Sequence, residues 1–61
     1  MKVTIYNAYS EETKTFSGEP EQVREQLNDT YSFLKRYSHD SLQQDLTKLS
    51  QQQVFMVNVE Q

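Results

Sequence analysis

The sequence predicts one α+β domain in which a β-hairpin is followed by two helices and a third strand. Three observations predict this class: apolar and polar residues alternate near both ends of the chain, an apolar stripe at helical spacing lies between them, and the length is 61 residues. A chain this short buries only about 60% of the surface that its unfolded form exposes, so it cannot divide its core between two domains. We therefore expect residues 1–61 to form a single domain.

The start of the chain has the two-residue period of a strand. Val3 and Ile5 alternate with other side chains in a segment rich in β-branched and aromatic residues, which predicts a strand over about residues 2–9. A polar break at residues 10–12 precedes residues 13–16, where strand-like residues resume. We expect a hairpin, and its turn type stays open because neither Asn-Gly nor Asp-Gly occurs in it.

Two helices are predicted after the hairpin. Gly18 is typical of the end of an element, and Pro20 suits the first position of a helix. The apolar residues that follow form one wide helical stripe that continues to Tyr37. A second helix is predicted after Ser41, which forms a capping-box pattern with Gln44. The helical residues expected in the core are Val23, Leu27, Leu34, Leu42, Leu46 and Leu49.

The last apolar segment predicts a third strand at residues 54–59. One face of this strand carries Phe55, Val57 and Val59, and the other carries Val54, Met56 and Asn58. If the hairpin and then the helix pair each run up and down, the third strand lies beside the first and parallel to it, across a right-handed connection. The predicted strand order is 2-1-3, with both helices on one face of the sheet.

The charge and the lack of cysteine restrict the environment and the partners. Six Lys+Arg against nine Asp+Glu give a net charge of -3, which disfavours binding to nucleic acid or to an anionic membrane. The longest apolar run, Val54 to Val57, is far shorter than the roughly 20 residues of a spanning helix, and Met1-Lys2 leads into a strand pattern and not into a signal peptide. With no cysteine for disulfides, we expect a cytoplasmic protein.

No residue pattern in the sequence predicts catalysis. His39 is the only histidine and the chain has no cysteine, so neither a two-histidine metal site nor a Cys/His nucleophile pair can form. The sole glycine, Gly18, belongs to a turn signal and not to a phosphate-binding loop. We expect a protein that is not an enzyme and has no cofactor and no metal.

The candidate interaction residues are apolar side chains that the helices leave uncovered. On the face away from the helices, the predicted sheet carries Tyr6, Ala8, Val54 and Met56. The last strand lies at an edge with no Pro or Lys to prevent strand pairing. We predict a small acidic interaction module, an adaptor or inhibitor of a larger protein, that also forms a homodimer through this strand.

Two alternatives stay open. An acidic mimic of nucleic acid would require one face that holds Glu11, Glu12, Glu19, Glu21, Glu25 and Asp29. A small hydrolase or nuclease would require an oligomer that assembles a site around His39 and Asp40.

Overall fold

A computed structural model describes residues 1–37 and 41–61. These residues form a domain with one three-stranded sheet and a layer of helices. In chain order the elements are β1 (Lys2–Asn7), β2 (Glu12–Ser17), α1 (Pro20–Thr30), a 3₁₀ helix (Ser32–Arg36), α2 (Leu42–Gln51) and β3 (Phe55–Glu60). The strand order is β2-β1-β3, so β1 is the central strand. The predicted α+β class and strand order are confirmed.

β1 and β2 form the predicted hairpin, with Lys2 opposite Ser17 and Asn7 opposite Glu12. β1 ends at Asn7 and not near residue 9, because the Asn7 Oδ1 accepts hydrogen bonds from the backbone N–H groups of Tyr9 and Ser10 at 2.9 and 3.1 Å. Such a side chain turns the chain out of the strand direction. Glu11 completes the connection in the left-handed region, at φ 60°.

Both predicted helix starts are confirmed. Before α1, Gly18 has φ 135°, and a Cβ at this position would lie 2.7 Å from Oε1 of Gln22. That oxygen accepts the backbone N–H of Glu19 at 2.9 Å, so only glycine combines this backbone with this cap. At α2, the Ser41 hydroxyl oxygen accepts the backbone N–H of Gln44 at 3.3 Å.

The expectation that the first helix continues to Tyr37 is wrong. α1 ends at Thr30, and a separate 3₁₀ helix follows. The last three residues of α1 are Asn28, Asp29 and Thr30, all weak helix formers whose side chains compete for backbone hydrogen bonds. The Asn28 Nδ2 donates to the carbonyl oxygen of Arg24 at 2.8 Å. The 3₁₀ helix still places Leu34 in the core.

The direction predicted for β3 is also wrong, because β3 pairs with β1 in the antiparallel sense. The parallel prediction assumed that the two helices form an up-and-down pair. Instead, Ser41 and Leu42 at the start of α2 line the same depression as Pro20 and Glu21 at the start of α1. The helices therefore begin at the same end of the domain, and β3 has to run back toward it.

The core lies between the sheet and the helices and consists of Val3, Ile5, Phe16, Val23, Leu27, Leu34, Leu46 and Leu49. Five of the six predicted helical core residues are therefore buried, whereas Leu42 is only partly buried at the first turn of α2. On the same side of β3, Phe55 and Val57 are partly buried. Val59 remains 38% exposed because the helix layer does not cover the end of this strand.

Candidate interaction surface

The face of the sheet that points away from the helices is arranged by the strand register. Tyr6 lies between Thr13 of β2 and Met56 of β3. The next positions along the sheet on this face are polar, with Thr4 between Thr15 and Asn58. The apolar character of the face is therefore concentrated at one end of the sheet, around Tyr6 and Met56.

The structure brings the four predicted interaction residues together at that end. Tyr6 and Met56 are direct cross-strand neighbours. Ala8 and Val54 lie just beyond the strand ends, and the Ala8 N–H donates to the Val54 carbonyl oxygen at 2.8 Å. Met56 is 63% exposed, Ala8 is exposed and the other two are half-buried. We call Tyr6, Ala8, Val54 and Met56 the open-face patch.

A shallow, mostly apolar depression of about 390 Å³ overlaps the open-face patch at Tyr6 and Met56. Its lining residues are Thr4, Tyr6, Met56, Val57 and Asn58. Thr4 and Asn58 were not among the residues predicted from the sequence. Alternation along β1 and β3 already places Thr4 and Asn58 on the face of Tyr6 and Met56. Their cross-strand pairing follows only from the register, which one strand alone does not define.

The outer edge of β3 continues this surface. In an antiparallel pair, residues alternate between those whose main-chain groups face the partner strand and those whose groups face away. Because Val54 bonds to Ala8, Met56 and Asn58 also direct their main-chain groups toward β1. The main-chain groups of Phe55, Val57 and Val59 therefore point to the outer edge, where the Phe55 N–H donates to the Gln52 carbonyl oxygen.

A buried ionic cluster joins the two helices on the other side of the molecule. Asp45 is 0% exposed, and its Oδ2 accepts hydrogen bonds from Arg24 Nε at 3.0 Å and from Asn28 Nδ2 at 3.1 Å. A carboxylate this deeply buried is retained only when it is paired and hydrogen-bonded. The cluster therefore holds α2 in place against α1.

Sequence reasoning missed Asp45, since an acidic residue in the first turn of a helix is usually a solvent-exposed partner of the helix dipole. A signal was present: at 100° per residue, Asp45 lies about 40° from Leu49, at the border of the apolar stripe. Burial follows from the neighbouring helix, which supplies Arg24 and Asn28.

A polar depression of about 280 Å³ lies at the hairpin end, on the side of the sheet that faces the helices. Glu12, Lys14 and Tyr31 are among the residues that line it. Burial raises the pKa of the Tyr31 phenol above its usual 10.0, and the negative charge of Glu12 raises this pKa further. The Tyr31 hydroxyl therefore stays protonated at neutral pH.

The acidic residues lie on different elements. Glu21, Glu25 and Asp29 recur every four residues along the exposed side of α1, whereas Glu11 lies in the hairpin loop and Glu12 begins β2. Arg24 lines the same depression as Glu21 and Glu25, so a guanidinium interrupts the acidic surface. This arrangement gives less support to a phosphate mimic than one dense acidic face would.

His39 and Asp40, on which the hydrolase or nuclease alternative depends, lie outside the described residues, so that alternative stays a prediction. Within residues 1–37 and 41–61, no group of three or more histidine, cysteine or acidic side chains is arranged to hold a metal ion. In the same ranges, no helix has the length and apolar composition that crossing a membrane requires.

Comparisons with protein-family models, with curated proteins and with solved structures find no match to this chain. No relative therefore supplies a function. A three-stranded sheet with two helices is compatible with many unrelated activities, so the fold does not supply one either. The arrangement of particular residues is the remaining basis for a functional proposal.

Proposed function

We propose that this protein is a small, non-enzymatic interaction module that acts as an adaptor or inhibitor by occupying a surface of a larger protein. The contact surface is the open-face patch together with the adjoining edge of β3. The observation that carries the proposal is that an apolar cross-strand pair, Tyr6 and Met56, lies on an uncovered sheet face beside an apolar edge strand. The absence of cysteine is compatible with a cytoplasmic location, which we also propose.

The side chains of the patch are suited to protein contacts. Tyrosine offers a large rigid ring with a polar hydroxyl, and methionine adapts its shape to irregular partners. Both residue types are enriched in protein interfaces, where an apolar centre is surrounded by a polar rim. Here Thr13 and Thr4 beside Tyr6, and Asn58 beside Thr4, supply such a rim.

The net charge of -3 favours a protein partner over a nucleic acid, since phosphate recognition requires an excess of cationic side chains. Within β3 itself, Glu60 is the single charged residue and lies at the far end from Met56. The patch therefore requires a partner whose complementary surface is apolar, with polar groups at its margin.

The test is site-specific photo-crosslinking in a lysate of the native host. A photoreactive phenylalanine analogue replaces Met56 in one variant and Thr15, which is also exposed on the open face, in a matched control. We expect the Met56 probe to capture a discrete protein, other than a second copy of this chain, that the Thr15 probe does not capture. Equal capture by both probes, or none at position 56, would contradict the proposal.

A second measurement separates binding from folding. Met56→Lys and Val54→Lys each place a cation in the apolar patch, so we expect capture to fall at least tenfold, whereas Thr15→Lys retains it. Because Met56 is largely exposed, its substitution changes the free energy of unfolding by no more than about 0.5 kcal/mol. A urea titration of each variant checks this value, and capture that persists in Met56→Lys would remove the patch from the interface.

A further inference from the structure

We propose that the occupant of the β3 edge is a second copy of this chain, paired antiparallel about a two-fold axis at Val57. The two sheets then join into one continuous sheet of six strands. This inference names one partner for the edge within the surface proposed above, and so it rests on the proposed function. It depends on the directions of the main-chain groups, on the side chains of β3 and on the positions of its charges.

The main-chain groups at this edge are directed so that they can pair with another strand. Val57 and Val59 direct both their N–H and C=O groups outward, and Phe55 directs its C=O outward. In the part of the chain that the structure describes, no strand pairs with this edge. An antiparallel strand centred on Val57 exchanges two hydrogen bonds between the two Val57 residues, and each Val59 N–H donates to the Phe55 carbonyl oxygen of the other copy.

The side chains select this register among the neighbouring ones. With the axis at Val57, the partly exposed Val59 meets Phe55 of the other copy, and every apolar residue on the helix side of β3 meets another apolar residue. An axis at Asn58 places Phe55 opposite the polar Gln61, and an axis at Met56 places Val59 opposite Gln53. Aromatic and β-branched neighbours are among the favourable cross-strand pairs.

The charge within β3 does not oppose the pairing, although each copy carries a net charge of -3. Glu60 is the only charged residue of β3, and with the axis at Val57 it lies opposite Val54 of the other copy. The two Glu60 residues are then six positions apart along the strands, about 20 Å at 3.4 Å per residue. This distance exceeds the screening length of about 8 Å at physiological ionic strength.

The other sheet edge is less suited to this role. The outward main-chain groups of β2 belong to Thr13, Thr15 and Ser17, and the strand also carries the charged Glu12 and Lys14. Charged and polar side chains are the usual protection of an edge against pairing. A contact between β3 and the β2 edge of another copy would also leave free edges and form open chains of molecules, whereas the β3 pairing closes as a dimer.

The first test is the mass in solution of the full chain and of two N-methylated versions. Total synthesis is practical at this length, and it allows an N-methyl group at Val57 or, as the matched control, at Thr15 on the β2 edge. Both groups point away from β1, so the fold is kept. Sedimentation at micromolar concentration is expected to give twice the 7.3 kDa of one chain for the parent and for the Thr15 version, and 7.3 kDa for the Val57 version. A monomeric parent, or a dimer that the Val57 methyl group does not dissociate, overturns the proposal.

The second test determines the register by disulfide formation, which is free of background because the chain has no cysteine. With the axis at Val57, Met56 faces Asn58 of the other copy as a non-hydrogen-bonded pair, whose Cα separation of about 4.5 Å suits a disulfide. An equal mixture of Met56→Cys and Asn58→Cys chains therefore forms the mixed dimer. Rapid disulfide formation by Met56→Cys alone or by Asn58→Cys alone indicates an axis at that residue and overturns the register.

These results are separable from the photo-crosslinking test. If the Val57 methyl group has no effect because the parent is monomeric, while the Met56 probe still captures another protein, the second copy is wrong and the interaction module stands. If the dimer forms as described but no other protein is captured, the dimer stands and the adaptor or inhibitor role is wrong.

Discussion

The two edge strands of this sheet have the same topological position and opposite surface chemistry. β2 and β3 each have six residues and each pairs antiparallel with all of β1. β2 carries one apolar residue, Phe16, among hydroxyl and charged side chains, whereas β3 carries four apolar residues. Strand order alone therefore does not identify an edge that is available for pairing, and the side chains have to be considered with it.

The helix layer follows the same division. α1 packs against β2 and α2 packs against β3. Phe16 is buried under its helix, but Val59 at the end of β3 remains 38% exposed. The single apolar residue of the polar edge is therefore covered, and the apolar edge is left open at Val59, where a partner could cover it.

The largest expected effect on the free energy of unfolding comes from truncating one core leucine beneath either half of the sheet. Leu27 of α1 and Leu46 of α2 are both buried. Replacing either leucine with alanine leaves a cavity and is expected to lower the free energy of unfolding by about 2 to 5 kcal/mol. Thermal melts monitored by circular dichroism would show this loss, and a Leu46→Ala melt that overlays the parent would remove α2 from the core.

The next effect comes from the ionic cluster that connects the helix on β2 with the helix on β3. Arg24→Ala removes the guanidinium beside a carboxylate that is fully buried, and breaking such a pair typically costs about 3 to 5 kcal/mol. Because the Arg24 side chain is itself partly exposed, we expect the lower end of this range. Urea unfolding checks the value. Glu21→Ala, a neighbour in the same depression, is the matched control and should leave stability nearly unchanged.

The smallest expected effect is a pH dependence of the free energy of unfolding, which arises from a tyrosine in contact with both edge strands. The Tyr31 ring contacts Phe16 of β2 and Phe55 of β3, with ring centroids 6.1 and 5.1 Å apart. Because burial raises the pKa of Tyr31 above 10.0 in the folded state, the folded protein retains this proton where the unfolded chain has lost it. The stabilisation is fully present below the unfolded pKa and is lost as the pH rises through the folded pKa.

Tyr31→Phe isolates this contribution. We expect the stability of the parent to fall more steeply than that of the variant between about pH 9 and pH 11, as measured by urea unfolding across that range. Tyr9→Phe, at an exposed residue of the hairpin loop, is the control for ionisation of a solvated phenol. Identical slopes for the parent and Tyr31→Phe would contradict the role of burial.

Local signals in the sequence were sufficient for much of the fold. The alternation around Val3 and Ile5, the Gly18 and Pro20 pair and the Ser41 cap each predicted an element that the structure contains. These features depend on residues close together in the chain, so no tertiary information was needed to interpret them.

The wrong predictions concern features that depend on tertiary contacts: the end of a helix, the direction of a strand and the burial of a charged residue. The apolar stripe through Tyr31 and Leu34 is the same for a continuous helix and for a helix followed by a 3₁₀ turn, and this ambiguity reversed the predicted direction of β3. Asp45 is buried because another helix supplies its partners. In the candidate surface, alternation along each strand identified the face that carries Tyr6 and Met56, but only the register shows that Thr4 and Asn58 are neighbours beside them.

The central position of β1 has a consequence for the order of folding. Its pairing with β2 joins residues at most 15 positions apart, Lys2 and Ser17. Its pairing with β3 joins residues as far apart as Lys2 and Glu60. Closing a long loop is entropically costly and slows folding. The hairpin is therefore expected to form early. The side of β1 that pairs with β3 then remains unpaired until the last strand folds onto it. On a ribosome, that side of β1 stays open until synthesis of the chain has passed β3.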